Sequence, residues 1–206
     1  MTQNTARNTP LERRLQRTRS AKGSFVATFR QVFLRHGLTM GFIALGCLLL
    51  PGAQTAIGWS LASLLSAPFS YLAALSALLV FCVLFLVFKG HKIRHAELVW
   101  LVYLLFISAA EEVAFRLMLP SLLTGTINMT SAAIVSNLLF AGIHFVTLRW
   151  KFINCVGVFF AGLGLSRLMT STEDIAFLIL VHLFFTFLNT PTPPNQRRTT
   201  GISKQH

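Results

Sequence analysis

The sequence predicts an all-α protein of the polytopic membrane class, a bundle of about six transmembrane helices. Of its 206 residues, 54% are hydrophobic and only 12% are charged, and the mean hydropathy of +0.65 exceeds that of water-soluble domains. The chain contains 19 Phe but 2 Tyr, which suits rings that face acyl chains rather than the membrane interface. Between Arg35 and Lys89 it has no Asp, Glu, Lys or Arg, a length that fits two spans of roughly 20 residues each.

Both chain ends are polar and basic, unlike the sequence between them. Residues 1–23 and 191–206 cannot bury enough apolar area to fold in water, so we expect disordered tails flanking a transmembrane domain at 24–190. The net charge of +12 would suggest nucleic acid for a soluble protein, but eight of the 18 basic residues precede the first long apolar run. Such flanking charge is typical of the cytoplasmic side of a membrane protein, and we expect no nucleic-acid partner.

The first half of the domain predicts two spans. From Phe25 to Phe33 apolar residues recur at helical spacing, which leaves two alternatives, a helix on the membrane surface or an early start of the first span. We place the first span near 38–58, interrupted at Pro51-Gly52, and the second near 68–88, because proline is tolerated at a helix start.

The second half predicts four more spans. The third begins at about Glu97 and ends near Pro120, and the fourth, fifth and sixth lie near 130–148, 152–169 and 175–190. An even number of crossings places both termini on one side, which we expect to be cytoplasmic because 16 of the 18 basic residues then fall there.

The third span contains three charged side chains within six residues, each of which costs about 2.5–3.5 kcal/mol at the centre of a membrane helix. Glu112 and Arg116 are four residues apart and can pair on one helix face. Glu111 points about 100° away and lacks that partner. Glu111 is therefore the better candidate for a general base, whereas the alternative is a buried ion-pair network that only fixes helix packing.

Two histidines lie in other predicted spans, His144 in the fourth and His182 in the sixth. A single histidine in a membrane helix more often packs or hydrogen-bonds than takes part in chemistry. Here three predicted spans each carry a polar side chain whose burial in lipid is unfavourable. Hydrogen bonding among these side chains at one shared site lowers the free-energy cost of burying all three. We therefore expect Glu111, His144 and His182 to converge on one pocket.

These residues also carry a resemblance to a known family. The motifs are, in chain order, Glu111-Glu112-x-x-x-Arg116, Phe140-x-x-x-His144 and His182. They resemble those of the CAAX prenyl protease and bacteriocin-processing (CPBP, Abi) family of intramembrane glutamic endopeptidases. The resemblance covers roughly residues 100–190, within a peptidase core at about 97–190, and the first 90 residues add nothing to the resemblance. It implies that Glu111 activates the attacking water, that His144 helps to hold that water or the substrate carbonyl, and that His182 stabilises the oxyanion.

The resemblance implies a supporting group around these three residues: Glu112, Arg116, Phe140, Thr186 and Asn189. Phe140 lies one turn before His144 and can fix its rotamer, although an ordinary core or lipid-facing Phe is the alternative. Thr186 departs from the pattern, since the family usually has Asn or Asp at this position. Asn189 lies two turns after His182 and is a candidate to replace the missing side chain.

A carboxylate and two histidines can ligate Zn²⁺ with water as the fourth ligand. The sequence contains no HExxH pair, however, and the resemblance favours a site without metal or other cofactor.

We therefore expect an endopeptidase that hydrolyses a peptide bond of a membrane-associated or lipidated protein or peptide in a bacterial cytoplasmic membrane. Thr186 motivates an alternative, a non-proteolytic partner-binding or self-immunity protein on the same scaffold. A proton-coupled transporter is a third reading, which six spans without internal symmetry fit poorly.

Overall fold

The computed structural model describes residue 26 and residues 28–194, and this part of the chain is helical. Its helices are α1 (Phe29–Leu48), α2 (Ala53–Ser60), α3 (Ala62–Ser66), α4 (Pro68–Phe88), α5 (His95–Leu123), α6 (Met129–Leu148), α7 (Phe152–Thr172) and α8 (Ile175–Asn189). The predicted all-α membrane bundle is confirmed. The predicted tail at 1–23, Phe25, and 195–206 of the second tail lie outside the described residues.

Five of the described helices are long and apolar enough to cross a membrane, namely α1, α4, α5, α6 and α7. The sixth predicted span corresponds to α8, which is apolar but has 15 residues. That is shorter than the roughly 20 residues that a perpendicular crossing of the hydrocarbon core needs. The cytoplasmic orientation of the termini stays a prediction.

The first span begins and ends earlier than the predicted 38–58. Thr28 caps the N-terminus of α1, so the helix starts well before Arg35, in agreement with the alternative of an early start. It ends at Leu48 because the chain turns at Pro51 and Gly52. The φ of Gly52 is 83°, a left-handed conformation that glycine adopts readily. The residues after this turn form the separate helices α2 and α3.

Two of the spanning helices contain a π-helical turn, at Phe33–Gly37 in α1 and at Val113–Met118 in α5. A π turn adds a residue to the turn and rotates the following side chains relative to the preceding ones, and such turns are frequent at functional sites. The first contains His36, and the second contains Arg116 and follows directly on Glu112. Both turns therefore lie where the bundle carries its buried polar side chains.

The helix α5 occupies the centre of the bundle and packs against α1 and α8. The rings of Phe29, Trp100 and Tyr103 contact one another with centroids 5.2–5.5 Å apart and join α1 to α5. Trp100 Nε1 also donates a 2.8 Å hydrogen bond to the carbonyl of Thr190, directly after α8. These contacts fix the helices that bring polar groups to α5.

The outer surface of the bundle is apolar, as an integral membrane protein requires. Along α4, for example, Phe69 and Phe88 are 84% and 86% exposed. Large exposed apolar side chains also occur on α1, α6 and α7. Since polar groups avoid this surface, the site lies inside the bundle.

Candidate active site

Both carboxylates of α5 are buried inside the bundle, with Glu111 at 3% exposure and Glu112 at 0%. The predicted pairing along the helix is present, because Arg116 Nη1 lies 3.5 Å from Glu112 Oε1. The guanidinium of Arg116 also lies over the Phe140 ring, 3.9 Å from its centroid. Glu112 is therefore the paired carboxylate, and Glu111 faces other partners.

The structure brings the three predicted catalytic residues together at Glu111. His144 Nε2 lies 3.5 Å from Glu111 Oε1, and His182 Nε2 lies 3.5 Å from Glu111 Oε2. The three side chains come from α5, α6 and α8, as the argument for a shared site expected. Their individual roles in catalysis stay predictions.

The second ring nitrogen of His182 is held by the neighbouring carboxylate. His182 Nδ1 lies 2.5 Å from Glu112 Oε1, the same oxygen that faces Arg116. Glu112 thus connects a cation on its own helix to a histidine on α8. Charge-assisted contacts of this kind orient an imidazole firmly, which fits the supporting position expected for Glu112 and Arg116.

The orientation of His144 is set by its own helix. His144 Nδ1 donates a 2.9 Å hydrogen bond to the carbonyl oxygen of Phe140. The Phe140 ring meets the imidazole edge-on at 4.5 Å, and the Trp150 ring lies 5.1 Å from it on another side. Phe140 therefore contacts His144 through both its backbone and its ring, and Nε2 is left to point at Glu111.

A fourth residue, His36, belongs to the site and was missed by the sequence analysis. Its Nε2 lies 2.8 Å from Glu111 Oε1, its Nδ1 lies 2.8 Å from Thr147 Oγ1, and the residue is 3% exposed. His36 lies in the first 90 residues, which carry none of the motifs of the family resemblance. Like His144 and His182, His36 is a histidine beside an apolar stretch of the sequence. It was missed because the first span is predicted to begin at residue 38, which leaves His36 outside the membrane.

The four residues open onto a cavity of about 410 Å³ between the helices. Most of its lining side chains are apolar, including Leu104 and Ile107 of α5 and Leu165 of α7. Thr186 and Asn189 also line it, on the helix that carries His182. The two positions expected to support His182 thus lie at the same cavity.

The histidine and carboxylate atoms are also close enough to be considered as metal ligands. His36, Glu111 and His144 each offer one ligand atom, and these atoms lie within 4.8 Å of one another. In tetrahedral zinc sites with bonds of about 2.0–2.1 Å, the ligand atoms lie about 3.3 Å apart. The 2.8 Å between His36 Nε2 and Glu111 Oε1 is shorter and equals a hydrogen-bond distance. This geometry fits a proton between the two atoms better than a metal ion.

Residues 94–188 match the family model described as type II CAAX prenyl endopeptidase Rce1-like. No curated protein and no solved structure matches the chain significantly. The matched stretch runs from the start of α5 into the last turn of α8 and contains Glu111, His144 and His182, whereas His36 lies outside it.

Proposed function

We propose that this protein is an intramembrane endopeptidase, because residues 94–188 match the family model described as type II CAAX prenyl endopeptidase Rce1-like. It hydrolyses a peptide bond of a membrane-associated or lipidated protein or peptide. The observation that carries the proposal is the convergence of His144 and His182 on the buried carboxylate of Glu111, at 3.5 Å each. Hydrolysis of an amide needs a base for water and stabilisation of an oxyanion, and this cluster contains groups for both.

In the proposed reaction, Glu111 removes a proton from a water molecule, and the resulting hydroxide attacks the scissile carbonyl carbon. His144 helps to hold the water or the carbonyl. His182, which Glu112 orients through Nδ1, stabilises the oxyanion of the tetrahedral intermediate. The C–N bond then breaks, and the proton held by Glu111 passes to the leaving amine, which restores the carboxylate. No metal ion takes part.

The cavity supports a substrate with apolar side chains or a lipid group. Its volume of about 410 Å³ lies within the range of small-ligand pockets, and its walls are mostly apolar. The family description names a CAAX prenyl endopeptidase, so prenylated peptides that end in a CAAX sequence are the first class to test. We also infer a bacterial cytoplasmic membrane as the location, because the loops between the predicted spans are short.

The test is cleavage of an internally quenched, farnesylated peptide that ends in a Cys-aliphatic-aliphatic-X sequence, by protein purified into proteoliposomes. We expect Glu111→Gln to lower the turnover at least 10²-fold, because the amide cannot accept the proton from water. Glu97→Gln is the matched control, since Glu97 lies in the first turn of the same helix, outside the cavity lining. Mass spectrometry of the products identifies the cleaved bond.

Two results would contradict the proposal. One is an unchanged turnover in Glu111→Gln. The other is the absence of wild-type cleavage both for this peptide and for membrane peptides that accumulate in cells carrying Glu111→Gln.

A second candidate function is non-proteolytic binding of a membrane partner, including a self-immunity role. It is favoured by Thr186, which lines the cavity where family members usually have Asn or Asp. Complementation of a deletion strain separates the two functions. A binding protein keeps its phenotype with Glu111→Gln, whereas a peptidase loses it.

A further inference from the structure

The hydrogen bonds around His36 determine where its protons lie. The hydroxyl of Thr147 donates its only proton to the carbonyl oxygen of Ile143, at 2.7 Å. The same hydroxyl lies 2.8 Å from His36 Nδ1. With its proton directed to Ile143, the hydroxyl accepts a hydrogen bond from a protonated His36 Nδ1.

The other ring nitrogen also needs a proton. His36 Nε2 lies 2.8 Å from Glu111 Oε1, and an ionised carboxylate can only accept hydrogen bonds. Glu111 must be ionised at rest if it is to take a proton from water, as the proposed function requires. With Glu111 ionised, both contacts are satisfied when His36 is an imidazolium, with Nδ1 donating to Thr147 and Nε2 donating to Glu111.

We propose that His36 is a positioning residue of the active site, which holds Glu111 Oε1 through a charge-assisted hydrogen bond and leaves Oε2 to meet the water. This inference rests on the proposed function, because it takes Glu111 as the resting base. A buried ion needs a paired counter-ion, and His36 and Glu111 are each almost fully buried. Oε2 is the oxygen that faces His182 Nε2 at 3.5 Å.

The surroundings of His36 support this assignment. From α5 it meets Glu111, and from α6 it meets Thr147 and the His144 ring, whose centroid is 4.7 Å away. The adjacent cation, Arg35, donates a 3.3 Å hydrogen bond to the carbonyl of Val146. Glu111 is thus the carboxylate that balances the charge of His36.

A positioning role for His36 makes α1 part of the catalytic unit, although α1 lies outside the matched residues 94–188. The π turn Phe33–Gly37 carries His36. In this chain, therefore, a helix from the unmatched N-terminal part fixes the orientation of the base on α5.

A spectroscopic test does not depend on a substrate. The full-length protein is labelled with ¹⁵N-histidine, placed in lipid bilayers at neutral pH and measured by solid-state NMR, with the His36 signals assigned by their loss in His36→Gln. We expect both nitrogens of His36 to be protonated in the wild type. In Glu111→Gln one of them loses its proton, because the imidazolium no longer faces a carboxylate. The exposed His91 and His95 provide reference signals.

A neutral His36 ring in the wild type would overturn the proposal, and so would a ring that stays doubly protonated in Glu111→Gln. Because the measurement needs no turnover, it fails or succeeds separately from the peptidase assay.

The kinetic test uses the farnesylated peptide. A positioning role predicts that His36→Leu lowers kcat about 10²-fold with little change in KM, the size expected for a misplaced catalytic group. His36→Gln should recover part of the loss, because its amide can still donate to Glu111. Equal kcat values for His36→Leu and wild type, or no recovery in His36→Gln, would overturn the proposal.

Discussion

Glu111 and Glu112 are neighbours of identical chemistry that the bundle places in different environments. Glu112 Oε1 meets Arg116 on its own helix and His182 on α8. Glu111 meets nitrogen atoms of His36, His144 and His182. One step along a helix rotates the side chain by about 100°, and this rotation separates the structural carboxylate from the candidate base.

The pairing of Glu112 predicts a stability effect. Glu112→Gln leaves the buried Arg116 without its counter-ion, and breaking a buried pair from one side costs about 3–5 kcal/mol. We expect a clearly lower unfolding temperature in detergent, measured by a thermal shift of tryptophan fluorescence. The double variant Glu112→Gln with Arg116→Met should regain part of the stability, because no buried charge is then unpaired.

For this prediction, Glu97→Gln serves as the control and should unfold like the wild type. An unfolding temperature of Glu112→Gln equal to that of the wild type would show that the ion pair contributes no stability.

The distance between His36 and Glu111 predicts that the site works without metal. We expect the purified protein to contain less than one equivalent of zinc by elemental analysis and to keep its peptidase activity after treatment with 1,10-phenanthroline or EDTA. A metal site would instead lose activity with the chelator and regain it with added Zn²⁺. That second pattern, with restoration by zinc, would contradict the assignment of a proton between His36 and Glu111.

At the level of helices, most of the fold could be predicted from the sequence. The predicted ends of α4 to α8 differ from the observed ends by at most three residues. The helix α7, for example, is predicted to end at 169 and ends at Thr172. Long apolar runs separated by charged or proline-containing loops indicate such helices clearly. The bounds of α1 could not be predicted, because its apolar residues continue through Pro51-Gly52 into α2.

The candidate site could be predicted less completely than the helices. Titratable side chains within apolar helices can be recognised in the sequence, and they identified Glu111, His144 and His182 as residues that meet in one place. The two π turns, by contrast, could not be predicted, because such turns are rare and occur as single turns inside α-helices. His36 depends on such a turn and on contact with α6, so neither its partner Thr147 nor its contact with Glu111 follows from spacing.

The packing of α7 against the site predicts a second stability effect. A Cβ at Gly162 would lie 2.8 Å from Arg116 Nη2 and too close to the side-chain oxygen of Asn137. Asn137 cannot move away freely, because its amide nitrogen donates 2.8 Å hydrogen bonds to the carbonyl of Ala133 and to Ser166. We expect Gly162→Ala to destabilise the protein by about 1–3 kcal/mol, the usual cost of overpacking.

Gly157 offers the matched control on the same helix, because a Cβ there meets no atom within 4 Å. Thermal unfolding of the two alanine variants in the same detergent gives the comparison. An equal effect of both substitutions would show that the contact with Arg116 and Asn137 is not what Gly162 provides.

For the whole molecule, the arrangement of helix ends relates the site to the two sides of the membrane. His36 lies about two turns after the start of α1, and His144 lies about one turn before the end of α6. The hydrogen bond from Arg35 to Val146 shows that these two ends meet. Basic residues follow α6 at Arg149, so the sequence predicts that this end of the bundle is cytoplasmic.

Cysteine labelling can test this orientation of the chain in the membrane. With both termini cytoplasmic, the basic loop that contains Lys92 faces the cytoplasm, and Glu173, between α7 and α8, faces the opposite side. Cysteines introduced as Lys92→Cys or Glu173→Cys, in a chain whose three native cysteines are replaced by alanine, can be labelled in intact cells with a membrane-impermeant maleimide. We expect Glu173→Cys to react at once and Lys92→Cys to react only after permeabilisation. The reverse pattern would place His36 and His144 near the outer face, and substrates would then have to reach Glu111 from the side opposite the cytoplasm.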